Sequence, residues 1–173
     1  MSSISAVVNR DHGLGDKKRA PMREGVVRIL LVGLGVPALV IGAWAAFAPR
    51  SFYEDFPGFG QVWVRPDGPF NEHFVRDFGD LNLALAFVTL AAVVWCTLLL
   101  TRLIAGAWLV EGIPHLVYHL RHLDPLASDA KVASIAGLTI VPVVGLVLLT
   151  ITTAIGPKKS STPSGQDWHR GQR

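Results

Sequence analysis

Four long apolar runs dominate the pattern of hydrophobic and polar positions. The first covers Ile29–Ala48, the second Leu81–Leu100 and the fourth Val132–Ile155, none with a charged residue. The third, Leu103–Leu120, is interrupted by Glu111, His115 and His119. Crossing a hydrocarbon core takes about 20 helical residues. A backbone surrounded by lipid must satisfy its own polar groups, so runs of this length predict helices. The expected fold is all-α: a four-transmembrane-helix antiparallel bundle with disordered cytoplasmic tails. A basic tail over 1–25 precedes a membrane domain over 26–156, and a second tail covers 157–173. The spans fall near 29–48, 81–100, 103–120 and 132–155, with an outer loop over 49–80.

Composition sharpens this picture. Half of the 173 residues are apolar and 17% are charged, against about a quarter charged in a soluble domain. One cysteine, Cys96, excludes a disulfide scaffold and any CxxC site. It is expected as a small core residue of the second span. The first run resembles a signal peptide, with basic residues before it and Ala46-Phe47-Ala48 at its end looking like a cleavage site. Its length exceeds an ordinary signal core of about 7–15 residues, and Pro49 would follow the scissile bond. An uncleaved first span is expected.

Charge supplies the direction. The N-terminal stretch carries Arg10, Lys17, Lys18, Arg19, Arg23 and Arg28, and the C-terminal stretch Lys158, Lys159, Arg170 and Arg173. The loop 49–80 holds three arginines against six acidic residues. Four spans place both ends on one side, and the basic flanks put that side in the cytoplasm of a plasma-membrane protein. The expected partners are the lipid bilayer and other membrane subunits or further copies of the chain. Nucleic acid is not expected, because no aromatic interleaving or known motif accompanies the basic residues.

Small residues and breakers suggest packing. Ala38, Gly42 and Ala46 recur at every fourth position of the first run. Such spacing allows close helix approach, although Gly and Ala are common enough here for it to arise by chance. Pro37, Pro114 and Pro142 lie inside spans and are expected to kink them. Thr101-Arg102 reads as a tight turn joining the second and third spans as neighbours. Phe52, Phe56, Phe59, Trp63 and Phe70 would suit a cap over the outer end.

The chemistry concentrates on the second and third spans. Asn71 is a good N-cap for a helix entering the second span. On that helix His73, Arg76, Asp77 and Asp80 share one face. On the third span Glu111, His115, His119 and His122 fall within an arc of about 80°. Ionisable groups inside a span are costly and usually face the bundle interior. Three readings fit. One is a metal site of His115, His119 and Glu111 with His73 or Asp77, a donor set suited to Zn, Fe or Cu. Another is a proton relay or pocket for a small polar ligand, formed by His73, Arg76, Asp77, Asp80, Glu111, His115 and His119. The third is structural glue, with Arg76 paired to Glu111 or Asp77 and histidines bonded to Asn82 and Asp80.

Arg28 opens the first span, Ala48-Pro49 ends it, and a polar segment leads into the second. In these features the chain resembles the DoxX-like small membrane proteins, and Gly68-Pro69-Phe70-Asn71-Glu72-His73 followed by Arg76-Asp77-Phe78-Gly79 is similar to uncharacterised bacterial membrane proteins of this size. The resemblance covers about residues 26–155. It implies a four-span fold and allows a quinone-linked redox role, since some members are linked to such oxidation. It assigns no catalytic residue.

Overall fold

The computed structural model describes the backbone of residues 4–123 and 128–153, and side chains from residue 23 onward within those ranges. The order is α1 (Ile4–Phe47), α2 (Pro49–Asp55), β1 (Pro57–Gly58), β2 (Gln61–Val62), a 3₁₀ turn (Arg65–Asp67), α3 (Glu72–Trp95), α4 (Leu98–Arg121) and α5 (Ser128–Thr153). Four segments are long and apolar enough to cross a membrane: Arg23–Phe47 of α1, and α3, α4 and α5, at 24 to 26 residues each. At 1.5 Å per residue they are about 36–39 Å long. The all-α, four-span reading therefore holds.

The boundaries differ in two places. Backbone helix in α1 begins at Ile4, so it takes in most of the stretch read as a tail. A helix already nucleated by an apolar span extends at one hydrogen bond per residue, which makes such growth cheap. The tail 157–173 lies outside the described residues. The second difference is the turn between α3 and α4, which is Cys96-Thr97 rather than Thr101-Arg102. Cys96 takes the left-handed conformation (φ 41°) that ends α3, and the Thr97 hydroxyl accepts from Leu100 N–H to start α4. Thr101 is buried one turn into α4 and donates to the Thr97 carbonyl at 2.9 Å. Cys96 is thus a half-buried cap residue rather than part of the span's core. The start of α3 is as expected, with the Asn71 side chain accepting from Phe74 N–H at 3.1 Å.

The helices form two antiparallel pairs. α1 packs along α3, and α4 along α5, while the backbones of α3 and α4 seldom come close and these helices meet mainly through side chains. The second and third spans, expected to be packed neighbours, therefore lean on different helices. Backbone proximity explains the α1–α3 pairing. A Cβ at Gly79 would collide with the Ala46 backbone nitrogen and stand 2.9 Å from the Ala45 carbonyl carbon. A Cβ at Gly42 would stand 2.9 Å from the Gly79 oxygen and the Leu83 nitrogen. The stripe Ala38, Gly42, Ala46 is thus a helix-packing face. In the second pair, Gly112 faces Val141 and Pro142, and Gly145 faces Leu109 and Ala105. Pro114 and Pro142 both lie within unbroken helices, and Pro142 is buried in this contact.

One apolar core joins the pairs, built from Leu31 and Leu34 of α1, Ala86 and Ala92 of α3, Ile104, Ala105 and Trp108 of α4, and Leu148 of α5. Inside it the Trp108 indole donates to the Thr89 hydroxyl at 3.0 Å, and that hydroxyl donates to the Leu85 carbonyl at 2.7 Å. Each pair also carries an arginine clamp. Arg76 of α3 donates to the Ala46 carbonyl at the end of α1. Arg102 of α4 donates to the Thr152 carbonyl at the end of α5 at 2.6 Å. A cation at a helix C-terminus offsets the partial negative charge of its unpaired carbonyls.

At the end opposite the α3–α4 turn, here the loop end, Phe52 is buried among Trp44, Phe56 and Phe78. Trp63 meets Phe56 edge-on and Tyr53 packs on Phe70. These aromatics cluster over the ends of α1 and α3, except for Phe59, which is wholly exposed. Trp44 sits at the loop end, and Trp95, 68% exposed, at the α3–α4 turn.

The Gly79 contact generates a clear expectation. Gly79→Ala should lower bundle stability by about 1–3 kcal/mol, the usual cost of overpacking. Gly137→Ala, with open space around the glycine, should be neutral or slightly stabilising. Reversible unfolding of both variants in detergent, followed by circular dichroism, checks the difference.

Candidate polar site at the loop end

The row Thr101, Ile104, Ala105, Trp108 and Gly112 forms the buried side of α4. Glu111, His115 and His119 continue that side toward the loop end and are half-buried, whereas Val110, Ile113 and Val117 on the other side are exposed. Helical periodicity alone achieves this, since every fourth residue returns to nearly the same face. Glu111 lies ten residues before Arg121, about 15 Å from the helix end and close to the middle of the span.

Within this row the groups touch in sequence. Glu111 Oε1 lies 3.0 Å from His115 Nδ1, with both side chains about one-third exposed (34% and 33%). When the carboxylate is ionised it only accepts, so Nδ1–H is then the donor and Nε2 of His115 is left to accept or, once protonated, to donate. The His115 and His119 rings follow with centroids 4.9 Å apart. Tyr118 meets His119 edge-on at 5.4 Å and stacks on His122 at 4.2 Å. His122 stands just past the helix, its Nδ1 2.8 Å from the Tyr118 carbonyl. The Asp67 carboxylate, on the 3₁₀ turn, lies within electrostatic reach of His119. The result is a ladder from Glu111 at mid-span to His122 at the loop end.

The α3 residues do not join it. His73 Nδ1 lies 3.5 Å from Asp77 Oδ1, in a pair with side chains 87% and 54% exposed. Arg76 is held by Glu72, with Nε donating to Oε1 at 2.9 Å, and by the Ala46 carbonyl. It pairs with neither Glu111 nor Asp77. Asn82 donates to the Phe78 carbonyl of its own helix rather than to a histidine, and Asp80 is exposed. Among the described residues, no three His, Cys, Asp or Glu side chains converge as metal ligands. The candidate set of His115, His119, Glu111, His73 and Asp77 is therefore divided between two helices whose backbones seldom come close. The cause is the choice of partners, because α3 turns its small residues to α1 and α4 turns its own to α5.

Two participants escape a reading of the spans alone. Glu72 is four residues before Arg76, a spacing that signals the pair. Asp67 carries no such signal, since a loop residue reaches His119 by the path of the loop and not by any period.

The ladder predicts a specific pattern of couplings. A double-mutant cycle of Glu111→Gln with His115→Ala should give about 0.5–1.5 kcal/mol, the range for a hydrogen bond in a folded protein. The cycle of Glu111→Gln with His73→Ala should give none beyond error. Unfolding free energies in detergent micelles measure both.

Comparison of the chain with protein-family models, with curated proteins and with solved structures finds no match.

Proposed function

We propose that the chain is a multi-pass protein of the plasma membrane with both termini in the cytoplasm. In this reading the loop end faces outward, and the Glu111–His115–His119 ladder is an outward-opening proton relay that serves a small polar ligand. Membership among the DoxX-like proteins belongs to the same proposal, supported by four spans and the polar lead into α3. The observation that carries the relay is the 3.0 Å contact between Glu111 and His115 at mid-span, followed by the His119 ring on the same face. A carboxylate in a span is costly unless paired. An imidazole beside it supplies the partner and also a group able to take up and release a proton. The relay is preferred to a Zn, Fe or Cu centre because, among the described residues, a third metal ligand does not converge. The orientation is supported by basic residues flanking the spans at the opposite end.

Infrared difference spectroscopy of the protein reconstituted in lipid tests the relay. Acidification should raise a protonated-carboxyl band in the wild type that is lost in Glu111→Gln and displaced along the pH axis in His115→Ala. His73→Ala should leave it unchanged. Identical difference spectra for wild type and Glu111→Gln would remove the proposal. Orientation has its own check, in a Cys96→Ala background. Arg65→Cys should react with an impermeant maleimide in intact cells, and Ser161→Cys only after permeabilisation.

A further inference from the structure

Between Asp55 and Arg65 lie nine residues without a charge: Phe56-Pro57-Gly58-Phe59-Gly60-Gln61-Val62-Trp63-Val64. They form the smallest of hairpins, Pro57 opposite Val62 and Gly58 opposite Gln61. Its tip runs through three consecutive positive φ angles, 92° at Gly58, 56° at Phe59 and 78° at Gly60. Glycine adopts such angles freely, whereas a bulky side chain rarely does. The tip therefore holds a phenylalanine in an unfavourable backbone conformation. Its ring packs on nothing, since Phe59 is 102% exposed.

The base of the hairpin is fixed on both sides. Phe56 and Trp63 belong to the aromatic cap over α1 and α3, and Tyr53 Oη donates to the Gly68 carbonyl at 2.7 Å. On the far side, Gln61 Nε2 donates to Asp129 Oδ2 in the first turn of α5 at 3.0 Å. That contact sets the height of the tip at the level where α5 enters its span. A charge-free, aromatic tip at that level meets the boundary between headgroups and hydrocarbon, where aromatic side chains concentrate.

We propose that Phe59 is a membrane finger: the hairpin tip inserts its ring into the boundary region of the lipid leaflet at the loop end. The occupant is lipid rather than a protein surface. The tip offers no charge for recognition, and its one hydrogen-bonding side chain, Gln61, is engaged with Asp129. The role follows from the anchoring points. A lipid-held tip keeps the strap from Pro57 to Phe70 stretched across the ends of both helix pairs. This inference is independent of proton exchange in the ladder.

The test keeps the ring in place. Para-fluorophenylalanine is introduced at position 59 by nonsense suppression, and the protein is reconstituted in phosphatidylcholine nanodiscs. Fluorine relaxation is then measured with dissolved oxygen, which concentrates in hydrocarbon, and with a water-soluble gadolinium chelate. The expected result is strong enhancement by oxygen and several-fold weaker enhancement by the chelate than for the free amino acid. Chelate enhancement equal to that of the free amino acid would place the ring in water and overturn the proposal. Shielding from both agents would overturn it as well, by showing that a second copy or another protein covers the tip.

Discussion

The backbone contact between α1 and α3 at Gly42 and Gly79 decides how the bundle divides. Lipid tails are as apolar as leucine, so helices in a bilayer gain little from hiding hydrophobic surface and must gain from close packing and hydrogen bonds. Two glycines facing each other let two backbones approach where any Cβ would collide. Once α1 and α3 are joined along that line, α4 finds its partner in α5, through Gly112 and Gly145. The polar residues of α3 and α4 are separated as a consequence, each left to find partners on or near its own helix.

Separation has different costs for the two groups. His73, Asp77 and Arg76 lie in the first turns of α3, where exposure to headgroups and water relieves them. Glu111 sits at mid-span and has no such relief. Its neutral or ionised form must be accommodated by what the helix itself supplies. The histidine four residues on provides that, which makes the pair self-contained and independent of the packing between helices.

Much of the fold was legible from the chain because the bilayer imposes simple demands. Length of apolar run and the need to satisfy the backbone locate four spans from composition alone. Asn71 announced the start of α3 through capping chemistry. The α3–α4 turn was not legible for a physical reason. Thr101 and Arg102 look like a polar break, yet the Thr101 hydroxyl bonds back to its own helix and Arg102 reaches the carbonyl of Thr152. Cys96, which does form the break, is a residue with no ordinary preference for a left-handed angle. The rows of the site were legible from periodicity, since Glu111, His115 and His119 need only a helix to align. Which rows would meet was not, because helix pairing depends on three-dimensional fit. Gly79, likewise, marks a point of close contact that only the pairing of α1 with α3 reveals.

The hydrogen bond from Trp108 to Thr89 has a mechanical meaning. It is a directional link at the centre of the bundle, between two pairs otherwise joined mainly by apolar surface. Apolar contacts tolerate small shifts better than a directional bond does, and this bond has one register. Shifting α4 along α3 by a single turn, about 5.4 Å, would strand an indole N–H in hydrocarbon with nothing to receive it. The bond acts as a dowel: together with the Cys96-Thr97 turn it fixes α4 against α3 at two separated heights.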